Sequence, residues 1–163
     1  MKKHLLLLLS VITFLSCSKS EGESTPIESK AGYIIHVKRN SKLSTGEIVA
    51  NYTKAAAVHV WKAEERSFSI ASLTDAINGY AFDNVTKASV KSDYTYISTS
   101  DVSQNVDPGK YFVFVVLPEQ SSGGSFAYSH TVFEVRKADV VTITKIFSTS
   151  TKPLTFENWD KQD

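Results

Sequence analysis

Residues 107–118 read DPGKYFVFVVLP, a Pro-Gly turn followed by an unbroken run of β-forming residues that a second proline ends. Tyr, Phe and Val suit the pleated surface of a strand, and a run of them without polar alternation is typical of a strand covered on both faces. The run therefore predicts the central strand of a β-sandwich, against which the other elements of the chain pack.

Shorter patterns on either side of this run predict further strands. These strands cover residues 32–39, 55–62, 80–82, 88–90, 94–98, 126–137 and 140–147, with room for a short edge strand at 47–49 inside the loop of residues 40–53. Residues 98–105 are polar and predict a loop. About seven short strands with turn signals between them predict an all-β, antiparallel β-sandwich, immunoglobulin-like or transthyretin-like.

The alternation inside these strands predicts which side chains enter the core. Tyr33, Ile35 and Val37 share one face of the first strand, and Val58 and Val60 point inward from the second. In the later strands, we expect Thr131, Phe133 and Val135 on one face with Val132, Glu134 and Arg136 on the other, and Val141, Ile143 and Lys145 on a common face.

One segment changes period. Ile70, Leu73 and Ile77 stand at helical spacing, and Asn78-Gly79 offers a left-handed stop, so residues 67–80 predict a short helix. The alternative is a strand pair, because Asn-Gly is also a good hairpin turn.

The composition is that of an ordinary globular protein with one domain, with 163 residues and 42% hydrophobic content. The formal net charge is +1, and removal of Lys2 and Lys3 with a signal segment would leave 16 basic against 17 acidic side chains. The basic residues are scattered. This balance argues against nucleic acid as a partner, because binding phosphates requires a basic face.

The amino terminus predicts export. Lys2 and Lys3 precede an apolar run from Leu5 to Leu15, and the small residue Ser16 stands before Cys17. The run is shorter than the roughly twenty residues of a transmembrane helix. Residues 1–16 are therefore interpreted as a cleaved signal peptide.

The stretch FLSC at residues 14–17 resembles a bacterial lipoprotein signal, in which lipid is attached to the cysteine that follows the cleavage site. Cys17 is the only cysteine, and the serines around it are similar to those of Bacteroidetes lipoproteins, although Phe14 and Ser16 replace the commoner Leu and Gly or Ala. The resemblance implies lipidation of Cys17 and an outer-membrane location. The alternative is an ordinary cleaved signal with an incidental cysteine.

Residues 17–30 are small and polar and predict a flexible tether between the lipid and a folded domain at 31–147. Glu21 and Glu23 are similar to acidic signals that send some Bacteroidetes lipoproteins to the cell surface, and a periplasmic face stays open as the alternative. Residues 148–163 predict a tail that packs on or near the sandwich through Leu154, Phe156 and Trp159.

Residues 106–115 resemble the strand of transthyretin-like domains in bacterial surface proteins, in which Pro-Gly precedes a tyrosine. The resemblance covers about the second half of the chain. It implies the fold and no activity.

Aromatic side chains are the main candidates for ligand binding: Trp61, Tyr80, Tyr94, Tyr96 and Tyr128. Exposed together on one sheet face, such rings would stack on sugars or grip a protein partner. The alternative is that they fill the core, as Trp and Tyr commonly do in sandwiches.

Other chemistry has weaker signals. His36 and His59 lie on predicted neighbouring strands and could approach a common ligand, but their spacing is not that of a metal site. Asp101, Asn105 and Asp107 could offer oxygens to calcium, although turn formation explains them as well. No metal and no cofactor is predicted.

Catalytic signatures are missing from the sequence, which has no nucleophile elbow, zinc-protease helix motif or phosphate-binding glycine loop. The sequence therefore predicts a non-enzymatic, lipid-anchored binding or assembly module of the cell envelope, with a glycan or another envelope protein as its partner. The alternatives are a carbohydrate-binding module, and a small hydrolase or its accessory subunit.

Overall fold

The computed structural model describes residues 30–53, 55–118, 126–149 and 155–160. The predicted signal peptide, Cys17, the tether up to residue 29 and Leu154 lie outside these residues. In the described part of the chain there are twelve strands and one short helix. Their bounds are β1 Gly32–Lys42, β2 Ile48–Tyr52, β3 Ala56–Lys62, β4 Phe68–Ser69, α1 Leu73–Ile77, β5 Tyr80–Asp83, β6 Ala88–Lys91, β7 Tyr94–Thr99, β8 Asp101–Asn105, β9 Gly109–Pro118, β10 Phe126–Val135, β11 Val140–Phe147 and β12 Thr155–Phe156.

The strands form three sheets. Sheet A has the order β11-β1-β2, with β8 paired to the first half of β1. Sheet B has the order β12-β10-β9-β3-β7, and sheet C the order β4-β5-β6. The predicted all-β sandwich with one short helix is confirmed, although two of its pairings, β1 with β11 and β10 with β12, are parallel.

Strand β9 is central and buried on both faces, as its sequence predicts. Tyr111, Val113 and Val115 enter a first core between sheets A and B, which also holds Tyr33, Ile35 and Val37 of β1. Phe112 and Phe114 point the other way, into a second core beneath α1 and sheet C. We call α1 with sheet C the cover layer. Both faces of the strand lie under apolar surface, which is why its sequence shows no polar alternation.

The change of period at residues 67–80 reflects the predicted short helix, preceded by a two-residue strand; Asn78-Gly79 ends the helix and does not form a hairpin turn. Phe68 and Ser69 form the short strand β4, and the helix occupies Leu73–Ile77. The helix begins because the Ser72 side chain accepts a hydrogen bond from the Asp75 amide at 3.2 Å. It ends at Asn78, and the left-handed φ of 82° at Gly79 turns the chain into β5.

The prediction of a loop over residues 98–105 is wrong, because Asp101–Asn105 is strand β8 and pairs with Gly32–His36 of β1. The strand has mostly polar side chains since only Val102 is buried in the core. Edge and outer positions need no apolar residue, so a polar strand of this kind resembles a loop in sequence.

Residues 155–160 close one open side of the sandwich, and we call them the tail clasp. Strand β12 pairs with β10 of sheet B, and the residues after it reach β11 of sheet A. Lys145, only 2% exposed, donates to the carbonyls of Ile146 and Asn158 at 2.9 Å. Its ammonium group also lies 3.3 Å from the Asp160 carboxylate. The predicted common face of Ile143 and Lys145 is thus confirmed, and the lysine is buried because the clasp supplies its partners.

Candidate functional site

The outer face of sheet B is covered over β3 and β9 but open over β10 and β12. The cover layer packs on Trp61, Phe112 and Phe114, while Tyr128 stands at the margin of that second core. Beyond the margin, Val132 is 57% exposed and Phe156 is 41% exposed. An apolar surface therefore continues from the protein interior into solvent, and we call its exposed part, Tyr128, His130, Val132 and Phe156, the open patch.

Ring contacts hold the open patch together. The Phe156 ring centroid lies 5.0 Å from that of His130 and 5.6 Å from that of Tyr128. His130 in turn contacts the buried ring of Phe112 at 5.5 Å. Burial lowers the pKa of His130, so its ring is neutral at neutral pH. The patch is thus an uncharged, mainly aromatic surface.

The tail clasp positions Phe156. The Glu157 amide donates to the Tyr128 carbonyl at 2.9 Å, immediately after the two-residue pairing of β12 with β10. Glu157 also accepts from the Ser148 amide at 3.0 Å and hydroxyl at 2.8 Å. These bonds fix the backbone on which the exposed ring stands.

Of the predicted aromatic residues, Trp61 is in the wrong environment for ligand stacking. Its side chain is completely buried under the cover layer, and its indole nitrogen donates to the Val90 carbonyl at 2.9 Å. Tyr80 is 40% exposed on β5 and belongs to the cover layer. The predicted set therefore does not form a single exposed row.

Tyr94 and Tyr96 are half-buried against the first core. The Tyr94 ring meets the Tyr33 ring edge-on at 6.4 Å, and the Tyr96 hydroxyl lies 3.4 Å from the Tyr33 hydroxyl and donates to Gln104 at 3.0 Å. Tyr111 completes this tyrosine cluster, since its ring lies 5.9 Å from that of Tyr33. For Tyr94 and Tyr96, the structure favours the packing alternative.

The tyrosine cluster predicts a loss of stability at alkaline pH. Burial raises the pKa of Tyr111 to about 12 and that of Tyr33 still higher, whereas an ordinary tyrosine titrates at 10.0. Because the folded state holds these protons more tightly, its stability is complete below pH 10 and falls as the pH rises toward 12. We expect urea denaturation to show this decline, and Tyr111→Phe to make it shallower. An unchanged slope in the variant would contradict the assignment.

A second candidate site is an open groove of about 540 Å³ at the end of the sandwich where the described chain begins. Its lining includes Tyr94, Val106 and Pro108 together with Lys30 and Lys137. Tyr94 is the predicted aromatic residue that contributes to it. The groove is mixed in character, with no cluster of three potential metal ligands anywhere in the described residues.

The two histidines predicted to share a ligand lie on opposite sides of the sandwich. His36 is on the outer face of sheet A, 3.0 Å from the Asp101 carboxylate, and His59 is on the outer face of sheet B. Strands β1 and β3 follow each other among the predicted strands but belong to different sheets. The prediction that they could approach each other is therefore wrong.

His59 is part of a buried hydrogen-bond chain. A carbonyl can only accept, so the 3.2 Å contact with the Ile77 carbonyl means that Nε2 donates, and Nδ1 then accepts from Thr95 Oγ1 at 3.0 Å. Ser92 Oγ lies 2.7 Å from the Thr95 hydroxyl. A hydroxyl beside an imidazole is what a hydrolase would need, but the ring is 2% exposed and a carbonyl takes the place of an acid. These hydrogen bonds instead connect the end of α1, at Ile77, to His59 and Thr95 of sheet B.

The two acidic residues considered as calcium ligands have different partners in the structure. Asp101 pairs with His36, and the exposed Asp107 lies 3.6 Å from Lys62. The backbone carbonyl of Asp107 accepts from the Tyr111 hydroxyl at 2.7 Å, which supports the turn-forming interpretation.

Sequence reasoning identified Tyr128 but missed His130, Val132 and Phe156 as its neighbours. The alternation of β10 correctly placed Val132 and Glu134 on the face opposite Phe133 and Val135. That alternation, with an apolar Val on the polar side, was the signal that could have identified an exposed apolar surface.

None of the protein-family models, curated proteins or solved structures compared with this chain matches it. The immunoglobulin-like or transthyretin-like type of the sandwich accordingly stays a prediction. Among the described residues no helix is long and apolar enough to cross a membrane.

Proposed function

We propose that this chain is a non-enzymatic binding or assembly module of a bacterial cell envelope, anchored to the outer membrane by lipid on Cys17, and that it grips a protein partner through the open patch. The observation that carries the proposal is the incomplete cover of sheet B. The cover layer buries the rings over β3 and β9, but Val132 and Phe156 stay exposed beside it. A contiguous apolar surface next to a core is characteristic of a protein-binding site.

The shape of the patch favours a protein over a glycan. The Phe156 ring is inclined at 56° to Tyr128 and 38° to His130, so the rings do not form one flat platform for a sugar. Val132 and Phe156 carry no hydrogen-bonding side-chain groups, whereas sugar hydroxyls need partners. A carbohydrate-binding module is the second candidate, supported by the hydroxyl of Tyr128 and the imidazole of His130.

The test is site-specific photo-cross-linking in cells that express the full chain, with the cross-linking residue at position 132. We expect a cross-linked protein product, because Val132 stands on the open patch. The control is the same residue at position 97, since Ile97 is 62% exposed but lies on β7, at the opposite edge of sheet B. Adding Phe156→Ala should reduce the product from position 132 by about tenfold, the cost of a modest interface anchor.

Equal yields from positions 132 and 97 would contradict the proposal. Saturable binding of a glycan to the purified chain, lost on Tyr128→Ala, would favour the carbohydrate alternative instead. The same cells with Cys17→Ala test the anchor, because the variant should leave the membrane fraction if the lipid holds the protein there.

A further inference from the structure

Strand β10 has an open edge beside the patch. On one side it pairs with β9 from Phe126 to Val135, but on the other side it pairs with β12 only at Ala127 and Tyr128. Main-chain groups two residues apart point to the same edge of a strand, so His130, Val132 and Glu134 direct their N–H and C=O groups to the side where Tyr128 meets β12. Within the described ranges, no strand pairs with these three residues on that side.

The neighbouring edge of sheet A at β11 is protected, in contrast to the open edge of β10. The Ile146 amide donates to the Asp160 carboxylate at 2.6 Å, and the Ser148 amide to Glu157 at 3.0 Å. Two carboxylates of the tail clasp thus take the place of a partner strand along β11. An unpaired edge is a template for another chain, and proteins usually block such edges unless they use them.

We propose that a second copy of this chain pairs with the open edge, β10 against β10, in antiparallel orientation about a two-fold axis through Val132. The inference rests on the proposed function and names the partner of the same patch. In this register Val132 of one copy lies opposite Val132 of the other. His130 of each copy lies opposite Glu134 of the other copy, which gives two such pairs. All three residues direct their main-chain groups to the edge, so the register allows six main-chain hydrogen bonds.

The side chains of the register are complementary. A neutral His130 can donate to the Glu134 carboxylate of the other copy, and opposite partners across an antiparallel pair stabilise it. Within its own chain, Glu134 lies opposite Lys110 of β9, so the carboxylate would stand between a lysine and the incoming histidine. The two exposed Val132 side chains would contact each other at the centre of the pairing, as a cross-strand apolar pair.

The length of the open edge also fits. It is bounded by β12 at Tyr128 and by the turn after Val135, where the Asp139 amide donates to the Arg136 carbonyl at 3.2 Å and Ala138 has a φ of 61°. Residues 130–134 are the window between these limits. Because the register is symmetric about Val132, residues 130–134 of one copy pair with residues 130–134 of the other. The pairing therefore does not reach β12 or the turn after Val135 in either copy.

The test is analytical ultracentrifugation of the chain carrying Cys17→Ser, which stays unlipidated. We expect a reversible dimer. Val132→Lys should raise the dissociation constant at least about tenfold, because it places two like charges on the axis. Val132 is exposed, so the fold should survive this change. Glu47→Lys, an exposed charge reversal near β2, is the matched control and should leave the dimer unchanged.

A charge exchange tests the register itself. His130→Glu alone should weaken the dimer about tenfold by opposing Glu134, and His130→Glu combined with Glu134→Lys should restore it. A chain that is monomeric at all concentrations would overturn the inference, as would a dimer insensitive to Val132→Lys or a double variant without recovery. A monomer that still forms a cross-link to another protein from position 132 would overturn only this inference, whereas a cross-linked product with twice the mass of the uncross-linked protein from the same cells would support it.

Discussion

Replacing Trp61 with alanine is expected to lower the free energy of unfolding by about 3–5 kcal/mol, the usual cost of removing a buried large aromatic side chain. The indole is completely buried and lies within 6.1 Å, centroid to centroid, of the rings of His59, Phe68 and Phe112. The change also leaves the Val90 carbonyl without its donor. Because domains are stable by only about 5–15 kcal/mol, the variant should be close to unfolding.

The measurement is urea denaturation followed by circular dichroism, which does not depend on the tryptophan removed. Tyr80→Ala is the matched control, because Tyr80 also belongs to the cover layer but is 40% exposed, and its loss should cost about 1 kcal/mol or less. Equal losses in the two variants would show that the cover layer does not pack on sheet B as described. Any loss of binding in Trp61→Ala would report unfolding rather than a lost ligand contact.

Lys145→Ala is expected to lower the free energy of unfolding by about 2–4 kcal/mol. The lysine is 2% exposed and holds two carbonyls and two carboxylates, with Glu157 at 3.6 Å and Asp160 at 3.3 Å. Breaking a buried ion pair from one side costs about 3–5 kcal/mol, and the side chain of Asp160 is 39% exposed, so water offsets part of that cost.

The control for this prediction is Lys62→Ala. Lys62 also pairs with a carboxylate, Asp107, but both side chains are at least half exposed, so the change should cost less than about 1 kcal/mol. Urea denaturation gives both values. If the two variants were equally stable, the buried lysine would not hold the tail clasp.

The central strand could be predicted from sequence because the residue types of the strand itself indicate that both of its faces are buried. Residues 111–117 are apolar at every position, and both faces are buried. The short helix could also be predicted from local residues, since the helical spacing of Leu73 and Ile77 and the stop at Gly79 lie within the segment itself. Local chemistry was sufficient in both cases.

Strand β8 and the open patch could not be predicted in this way. Asp101–Asn105 is a strand because it pairs with β1, and its mostly polar side chains do not indicate this pairing. The patch joins Val132 to Phe156 through a pairing of β10 with a two-residue strand from the end of the chain. The separation of His36 and His59 likewise depends on sheet membership, which strand order in the sequence does not reveal.

The parallel pairing of β1 with β11 joins two strands that are far apart in sequence, over the register from Gly32 and Val140 to Arg39 and Phe147. Sheet A therefore cannot be completed until β11 has been synthesised. Contacts so distant in sequence are typical of slow folding, since a long loop must close before they form. Until then the apolar face of β1 needs protection from other chains, and a chaperone that holds the unfinished polypeptide would supply it.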